Sequence, residues 1–268
     1  MKGKLKIAAW ALFAIAIIAV LFLARKNQDE AIVQNPNISI SVVDENAFLT
    51  ESELLIRLKR LNLFYPNQLM KNLNTKAIEE NIRKMHEVEE VNVFKQLGGN
   101  WGIKLKVRQP YARIFNQFGE SFYVDSKGAT MDPTPNFTAR ILVFTGNIKD
   151  KSDTLLVSDI EANPKLKNDR SLDEIFHIAK VIHENQFLTA QISQIHRDRW
   201  GDFILIPRVG AQRIVLGPAP SERDVAEKLK KLVVFYMNGL PYVGWNKYKT
   251  INLKYRNQVV CTYLRDTL

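Results

Sequence analysis

The first pattern along the chain is a continuous apolar segment from Ile7 to Ala24, which contains no charged residue, proline or glycine. As a helix, these 18 residues would span about 27 Å, close to the hydrocarbon thickness of a bilayer. Basic residues flank both ends but are in excess on the N-terminal side: Lys2, Lys4 and Lys6 come before it, and Arg25 and Lys26 after it. This asymmetry predicts a membrane-spanning helix whose N-terminal end stays in the cytoplasm.

A cleaved secretory signal is the alternative interpretation of this segment. Its apolar core would be long for a signal peptide, in which about 7–15 residues is usual. The segment also ends without the small-x-small pattern of a cleavage site. We therefore favour an uncleaved anchor, and either interpretation places the rest of the chain outside the cytoplasm.

After a short polar stretch, segments with the periodicity of a strand and segments with the periodicity of a helix follow one another along the chain. A strand-like alternation comes first, and Thr50 with Glu53 then forms a capping-box pattern before an amphipathic helix. A second helix is predicted from near Asn74. Two strands follow, joined at Gly98–Asn100, where glycines supply the positive φ angles of a tight hairpin. The predicted order is strand, helix, helix, strand, strand over residues 38–109.

Residues 110–268 show a pattern typical of a larger domain rich in strands. A hairpin is predicted around Gly119, and the polar stretch 149–170 is predicted as a loop. Ser171 opens a second capping-box pattern, and Ser221 is predicted to cap a later helix. Further strands are predicted at Gln191–His196, Phe203–Pro207 and Arg213–Gly217, which should form an antiparallel meander, and at Thr250–Tyr255 and Gln258–Leu264.

The predicted fold class is therefore α+β. It combines a single N-terminal transmembrane helix, a small βααββ module and a larger, mixed antiparallel-sheet domain with helices.

Composition and charge narrow the class of protein. The net charge is +10, but five cations flank the apolar segment, which leaves 33 Lys plus Arg against 28 Asp plus Glu. This mild excess is spread along the chain, so a nucleic-acid interface is not expected. The one cysteine, Cys261, excludes an internal disulfide and is predicted to pack as a small apolar residue.

No pattern of catalytic or metal-binding residues stands out. His177 and His183 are six positions apart rather than the four that place two ligands on one helix face. No Gly-x-Ser-x-Gly motif occurs, and the paired Glu89 and Glu90 are more typical of a solvated strand edge than of general acid–base catalysis. We expect no enzyme, no metal, no cofactor and no small-molecule substrate; an anchored wall hydrolase is the alternative.

Lys104, Lys106 and Arg108 form one cationic strand face. A solvated outer face is the simplest interpretation. Contact with a partner or with anionic lipid near the membrane is the alternative.

Six short motifs follow one another along the chain: HEVEEVNV (86–93), IKLKV (103–107), RQPYAR (108–113), FYVDSKG (122–128), VFTG (143–146) and INLKY (251–255). Their order and spacing resemble the bacterial cell-division family FtsQ/DivIB. In that family a polypeptide-transport-associated (POTRA) module precedes a larger β domain. The expected division is a cytoplasmic tail at 1–6, a transmembrane helix at 7–24, a stalk at 25–37, a POTRA domain at 38–109 and an FtsQ-type β domain at 110–268.

The resemblance implies a non-enzymatic, single-pass division protein of the inner (plasma) membrane at the septum, with its bulk in the periplasm. It would scaffold and regulate septal peptidoglycan synthesis by binding FtsB, coiled with FtsL, and would meet other divisome membrane proteins. The alternative function is a membrane-anchored, POTRA-containing component of envelope biogenesis or secretion, which would predict further POTRA modules.

The last predicted strand, Gln258–Leu264, is rich in β-branched and aromatic residues and lacks the proline or lysine that blunts an exposed edge. It is expected to be a sheet edge that accepts a strand from a partner, and a covering loop is the alternative. In FtsQ-like proteins this end of the domain receives FtsB. By that resemblance the partner-binding residues are Lys254, Tyr255, Asn257, Val259 and Val260.

Overall fold

The computed structural model of the chain describes residues 2–42, 48–134 and 137–264, with side chains from Trp10 onward. It divides into two compact units, Met1–Val107 and Arg108–Leu268. The side chains of Lys2, Lys4 and Lys6, on which the predicted orientation of the anchor partly depends, lie outside the described part.

The apolar segment lies within one long helix, α1 (Lys2–Glu30). Its stretch Trp10–Glu30 contains an 18-residue window with a mean hydropathy of 1.7 and is long and apolar enough to cross a membrane. The apolar side chains are exposed on every side of the helix, as expected of a segment whose solvent is lipid.

Residues 25–37 do not form the separate stalk that their polar composition suggested. Helix α1 continues to Glu30, and the backbone after it is hydrogen-bonded to the rest of the first unit. Met70 N donates to Ala31 O at 2.9 Å, Val33 N donates to Gln68 O at 2.8 Å, and the Val33 side chain is buried. Polar composition misled the prediction because the segment is held by its peptide groups rather than by apolar side chains.

The first unit continues with β1 (Asn37–Ser41), α2 (Glu51–Arg60), α3 (Thr75–Arg83), β2 (Val88–Lys95) and β3 (Trp101–Val107). The sheet has the order β1-β3-β2, with β1 parallel and β2 antiparallel to the central β3. The predicted order of strands and helices is confirmed. Thr50 caps α2 as expected, since its side chain accepts from Glu53 N at 3.3 Å. Helix α3 begins where predicted, and Asn74 caps it by accepting from Ala77 N at 3.0 Å.

The second unit is built on one nine-stranded sheet with the order β12-β11-β10-β9-β8-β7-β4-β5-β6. Its strands are β4 (Pro110–Phe115), β5 (Ser121–Asp125), β6 (Thr130–Met131), β7 (Leu142–Gly146), β8 (Ile192–Arg197), β9 (Phe203–Pro207), β10 (Arg213–Gly217), β11 (Tyr248–Asn252) and β12 (Val260–Tyr263). The predicted antiparallel meander is β8–β9–β10. Three neighbouring pairs are parallel, which the sequence did not indicate: β4 with β7, β7 with β8, and β10 with β11.

Helices connect two of the parallel pairs, β7 with β8 and β10 with β11, and cover the sheet. They are α4 (Val157–Ala162), α5 (Pro164–Asp169), α6 (Leu172–His183), α7 (Gln186–Gln191), α8 (Glu222–Asn238) and α9 (Leu240–Val243). The inner sides of α6 and α8, with Ile178 and Leu232 fully buried, share one apolar core with strand residues such as Leu205 and Ile214. Burial of this shared face is the main source of stability for the unit.

The segment predicted as a loop, 149–170, contains α4 and α5, so that prediction is wrong. Each helix has six residues, too few for a helical period to be visible in the sequence. The predicted capping role of Ser171 is also wrong. Its Oγ donates to Asp150 Oδ2 at 2.6 Å and accepts no hydrogen bond from the first turn of α6, because the contact with the buried carboxylate orients the hydroxyl toward Asp150.

Asp173 on α6 is buried and should make the stability of the second unit depend on pH. Neither carboxylate oxygen has a hydrogen-bond partner of ordinary geometry among the described residues, and Lys167 Nζ is 3.9 Å away. Burial raises the pKa of Asp173, and this outweighs the opposing effects of backbone amides and Lys167. The native state therefore keeps a proton that the unfolded chain has already lost. Stability should fall as pH rises from the ordinary range of an aspartate through the raised pKa.

We expect Asp173→Asn to stabilise the second unit by about 1–3 kcal/mol at neutral pH, because the buried charge is removed. The gain should vanish in acid, where the parent carboxyl is neutral. Denaturant titrations at several pH values measure both effects, with the exposed Asp169→Asn as the matched control. A gain that grows on acidification would contradict the prediction.

Candidate partner-binding site

Strand β12 forms one end of the nine-stranded sheet. It pairs with β11 on one side only, through the register Asn252↔Val260, Ile251↔Cys261 and Thr250↔Thr262. Within the described ranges, which end at residue 264, no segment pairs with its other side. The predicted position of the last strand at a sheet edge is therefore confirmed, and the peptide groups along this side are available to a further strand.

The side chains at 259–262 alternate between the core and solvent, and Cys261 packs inward as predicted. Cys261 and the preceding Val259 pack against the core of the unit, while Val260 is 40% exposed. Tyr263 packs beside Tyr248, with ring centroids 5.2 Å apart, and keeps 63% of its surface exposed. The edge thus offers apolar and aromatic side chains next to its free peptide groups.

The opposite end of the sheet has a different character. Strand β6 has two residues, and its Thr130 is tied to the segment at Asp153. Thr130 Oγ donates to Asp153 O at 2.7 Å and accepts from Asp153 N at 3.0 Å. This edge is therefore short and partly covered, whereas β12 is not.

The turn that leads into β12 is held by α8. Lys231 Nζ donates to Leu253 O at 3.0 Å and to Tyr255 O at 2.6 Å. Partial burial lowers the pKa of Lys231, and the neighbouring Lys228 lowers it further. No local pattern indicates this role, because α8 and the turn are more than twenty residues apart and several lysines on α8 look alike.

A groove of about 860 Å³ opens between α8, from Asp224 onward, and the turn at 254–259. Lysine and arginine outnumber acidic residues along it: Lys228, Lys230, Lys231, Lys254 and Arg256 against Asp224 and Glu227. Val234, Phe235, Tyr255 and Val259 add apolar surface. The groove lies directly beside the start of β12, so a strand added there would continue into a basic, partly apolar channel.

Four of the five predicted partner-binding residues line this groove: Lys254, Tyr255, Asn257 and Val259. Val260 is the first residue of β12 itself. The structure therefore brings all five to one corner of the second unit, and whether they bind a partner stays a prediction.

The five predicted residues differ in how far their own contacts and backbone conformation constrain them. Lys254 Nζ pairs with Asp202 Oδ2 at 2.6 Å, and its methylene groups cross Gly217, where a Cβ would meet Lys254 Cγ at 2.7 Å. Asn257 has φ 58°, a turn conformation that asparagine adopts more readily than most residues. Tyr255 is 48% exposed. Tyr255 and Val260 thus offer exposed apolar surface, while Lys254 and Asn257 shape the corner.

The remaining candidates from the sequence are engaged inside their own units. Lys104 Nζ lies 5.6 Å from the centroid of the Phe94 ring, and Lys106 pairs with Glu89 at 3.0 Å. In the second unit, Arg108 donates to Asp125 Oδ2 at 2.6 Å. These contacts support the interpretation of the cationic residues as an ordinary outer face.

The histidines are not brought together. His177 Nε2 lies 2.7 Å from Glu161 Oε1 and its Nδ1 lies 3.1 Å from Ala219 O, whereas His183 stacks on Tyr111 with centroids 4.3 Å apart. Across the described residues, no group of three or more His, Cys, Asp or Glu side chains could hold a metal ion. Burial raises the pKa of the Cys261 thiol, which makes it a poor nucleophile.

Comparison with protein families gives two matches that together cover most of the chain. Residues 109–262 match the model described as FtsQ/DivIB, C-terminal related, and residues 33–106 match a POTRA-like domain. The second match begins inside the expected stalk, in agreement with the packing of Val33 against the first unit. No curated protein matches the chain. Because the first match alone spans more than half of its length, the chain belongs to the FtsQ/DivIB family of cell-division proteins.

Proposed function

We propose that this chain is a non-enzymatic division protein that receives a strand of an FtsB-type partner, joined to an FtsL-type protein, on the free side of β12. Through this docking it would scaffold and regulate septal peptidoglycan synthesis. The observation that carries the proposal is the unpaired outer side of β12, next to the basic groove.

Strand addition suits this edge physically. Peptide hydrogen bonds supply affinity without regard to sequence, and alternate side chains of the added strand supply selectivity. The exposed Val260 and Tyr263 would meet apolar side chains of the partner, and Tyr255 would contact the segment that leaves the strand. Acidic residues in that segment would complement the basic groove.

We further propose that α1 anchors the chain in the inner membrane as a single-pass protein, with its N-terminal end in the cytoplasm and both units outside. The support is the length and apolar character of α1 and the excess of lysine before it. At the division septum, this arrangement would present β12 to other membrane-anchored division proteins, which are the partners that we expect.

The test is a titration of the full-length chain in nanodiscs with the extracytoplasmic segment of the FtsB-type protein from the same genome. We expect saturable binding. Tyr255→Ala and Val260→Glu should each weaken it about tenfold or more, which corresponds to about 1.4 kcal/mol. We choose Val260 rather than Val259 because Val259 packs against the core, so a charge there could disturb folding.

Val42→Glu is the matched control for the charge, because Val42 in the first unit is 39% exposed, close to the value for Val260. It should leave the dissociation constant unchanged. Hydrogen exchange in the complex should show new protection at Cys261–Tyr263. No binding, or binding insensitive to both variants at the edge, would defeat the proposal.

A further inference from the structure

The end of helix α1 is joined to the tip of the β2–β3 hairpin by side-chain hydrogen bonds. Gln28 Nε2 donates to Gln96 O at 2.5 Å, and Gly98 N donates to Gln28 Oε1 at 2.8 Å. Gln28 therefore binds one acceptor and one donor of the same turn. These two hydrogen bonds fix the position of the hairpin tip along the axis of the helix.

A second set of contacts holds the tip against the backbone that follows α1. Gln34 N donates to Gly99 O at 3.0 Å. At Gly99, which has φ 79°, an added Cβ would lie 2.3 Å from Ile32 O. Any other residue would push the two backbones apart, so glycine is required here both for the turn and for the close approach. The Gly98–Gly99 pair thus serves the attachment as well as the hairpin.

The position of Gln28 along α1 sets the height of the tip above the bilayer core. Gln28 is four residues beyond Ala24, the last residue of the apolar segment, which is about 6 Å along a helix. The headgroup layer of one leaflet is about 5–8 Å thick. If α1 spans the membrane, the hairpin tip therefore lies at the depth of the lipid headgroups.

The surface around the tip has the chemistry of a membrane contact. Leu97, at the tip, is 83% exposed, and Ile32 beside Gly99 is 58% exposed. Exposed basic residues lie on the elements joined at the tip: Arg25 and Lys26 on α1, Lys71 on the short turn that packs against α1, and Lys95 at the end of β2, where its Nζ donates to Met70 O at 2.8 Å. The acidic residues nearby in sequence are Asp29 and Glu30. An exposed leucine within a basic surface is typical of proteins that insert into an anionic interface.

We propose that the tip of the β2–β3 hairpin (Leu97–Gly99) is a lipid-binding element that enters the headgroup layer of the membrane spanned by α1, with Leu97 reaching the acyl boundary. The first unit is then held at a fixed height and orientation on the bilayer by two elements, the helix and the hairpin tip. This function is separate from partner binding at β12 and does not depend on it.

A fluorescence-quenching experiment on the full-length chain tests the proposal. An environment-sensitive dye is attached at Leu97→Cys in a Cys261→Ser background, and the protein is placed in vesicles of zwitterionic and anionic lipid that carry nitroxides on the headgroup or the upper acyl chain. We expect a large loss of fluorescence and a blue shift at position 97. A dye at the exposed Lys84, which follows α3 and is separated from the tip by the eight residues of β2 (Val88–Lys95), roughly 26 Å of strand, should be much less quenched.

Two variants separate lipid contact from effects of the dye. With the dye at Ile32→Cys, Leu97→Asp should reduce quenching, because a charge replaces the inserted side chain. Gln28→Ala should reduce it at position 97, because the tip is released from α1. Quenching at position 97 no greater than at position 84, or unchanged by Leu97→Asp and Gln28→Ala, would overturn the proposal whatever the outcome of partner binding.

Discussion

Replacing Trp101 by alanine is expected to remove about 3–5 kcal/mol from the stability of the first unit, the usual range for a buried tryptophan. Trp101 is 1% exposed at the start of the central strand β3. Its Nε1 donates to Gln34 O at 2.8 Å, and its ring lies 5.5 Å from that of Phe64. Alanine would leave both a cavity and an unpaired carbonyl. The loss is a large part of the stability of a typical domain, about 5–15 kcal/mol.

Hydrogen exchange of the β2 and β3 amides in the full-length chain measures this loss locally. Trp101→Phe should recover much of it, because the ring is kept while the hydrogen bond is lost. Trp200→Ala is the matched control, since Trp200 is 74% exposed and should change stability by less than about 0.5 kcal/mol. Equal effects of the two alanine variants would show that the first unit is not organised around Trp101.

Lys231→Met is expected to weaken the proposed binding of the FtsB-type segment about tenfold without touching the binding edge. Lys231 donates to two carbonyls of the turn that carries Tyr255 and leads into β12. Hydrogen bonds from a charged group are worth about 1.5–3 kcal/mol, so their loss should free the turn and lower the stability of its surroundings by that amount. The change in affinity would then reflect the cost of reordering the turn on binding.

The neighbouring Lys230 provides a matched control. It is exposed and also lines the groove, so Lys230→Met removes the same charge without loss of a described hydrogen bond. We expect its affinity to stay within about twofold of the parent. Faster exchange of the amides at Leu253–Tyr255 should appear only in Lys231→Met. If the two variants weaken binding equally, net charge in the groove matters and the position of the turn does not.

Much of the fold could be predicted from local signals. The apolar segment of α1, the caps at Thr50, Asn74 and Ser221, and the turn at Gly98–Asn100 each depend on residues close in sequence. Their physical causes therefore act within one element, and all of them occur in the structure. Period-two alternation likewise identified the strands that pair as the β8–β9–β10 meander.

Apart from α4 and α5, which are too short to show a helical period, the failures involve contacts between distant parts of the chain. Ser171 was expected to cap α6, but its hydroxyl is oriented toward the buried Asp150. The backbone after α1 was expected to be a free stalk, but it is hydrogen-bonded to the first unit through Val33 and Gln34. Parallel pairing of β10 with β11 depends on how α8 packs across the sheet, which no local pattern reveals.

The candidate site was only partly accessible to prediction for the same reason. The β-branched and aromatic run of the last strand, with no residue that blunts an edge, identified the position of β12. The individual roles at Lys254, Tyr255, Asn257, Val259 and Val260 came only from the resemblance to the family. Lys231 was missed because nothing in its own sequence neighbourhood distinguishes it from Lys228 or Lys230.

The two edge strands of the nine-stranded sheet differ, and this difference affects how many further strands the sheet can accept. Because β6 is two residues long and is tied to Asp153, a second copy of the chain finds no matching edge there for its own β12. Head-to-tail growth into a filament of stacked sheets, the usual hazard of an open edge, is thereby blocked. Under the proposed function, the nine-stranded sheet of each molecule would accept one added strand, so the copy number of this protein would set how many partner strands are bound there.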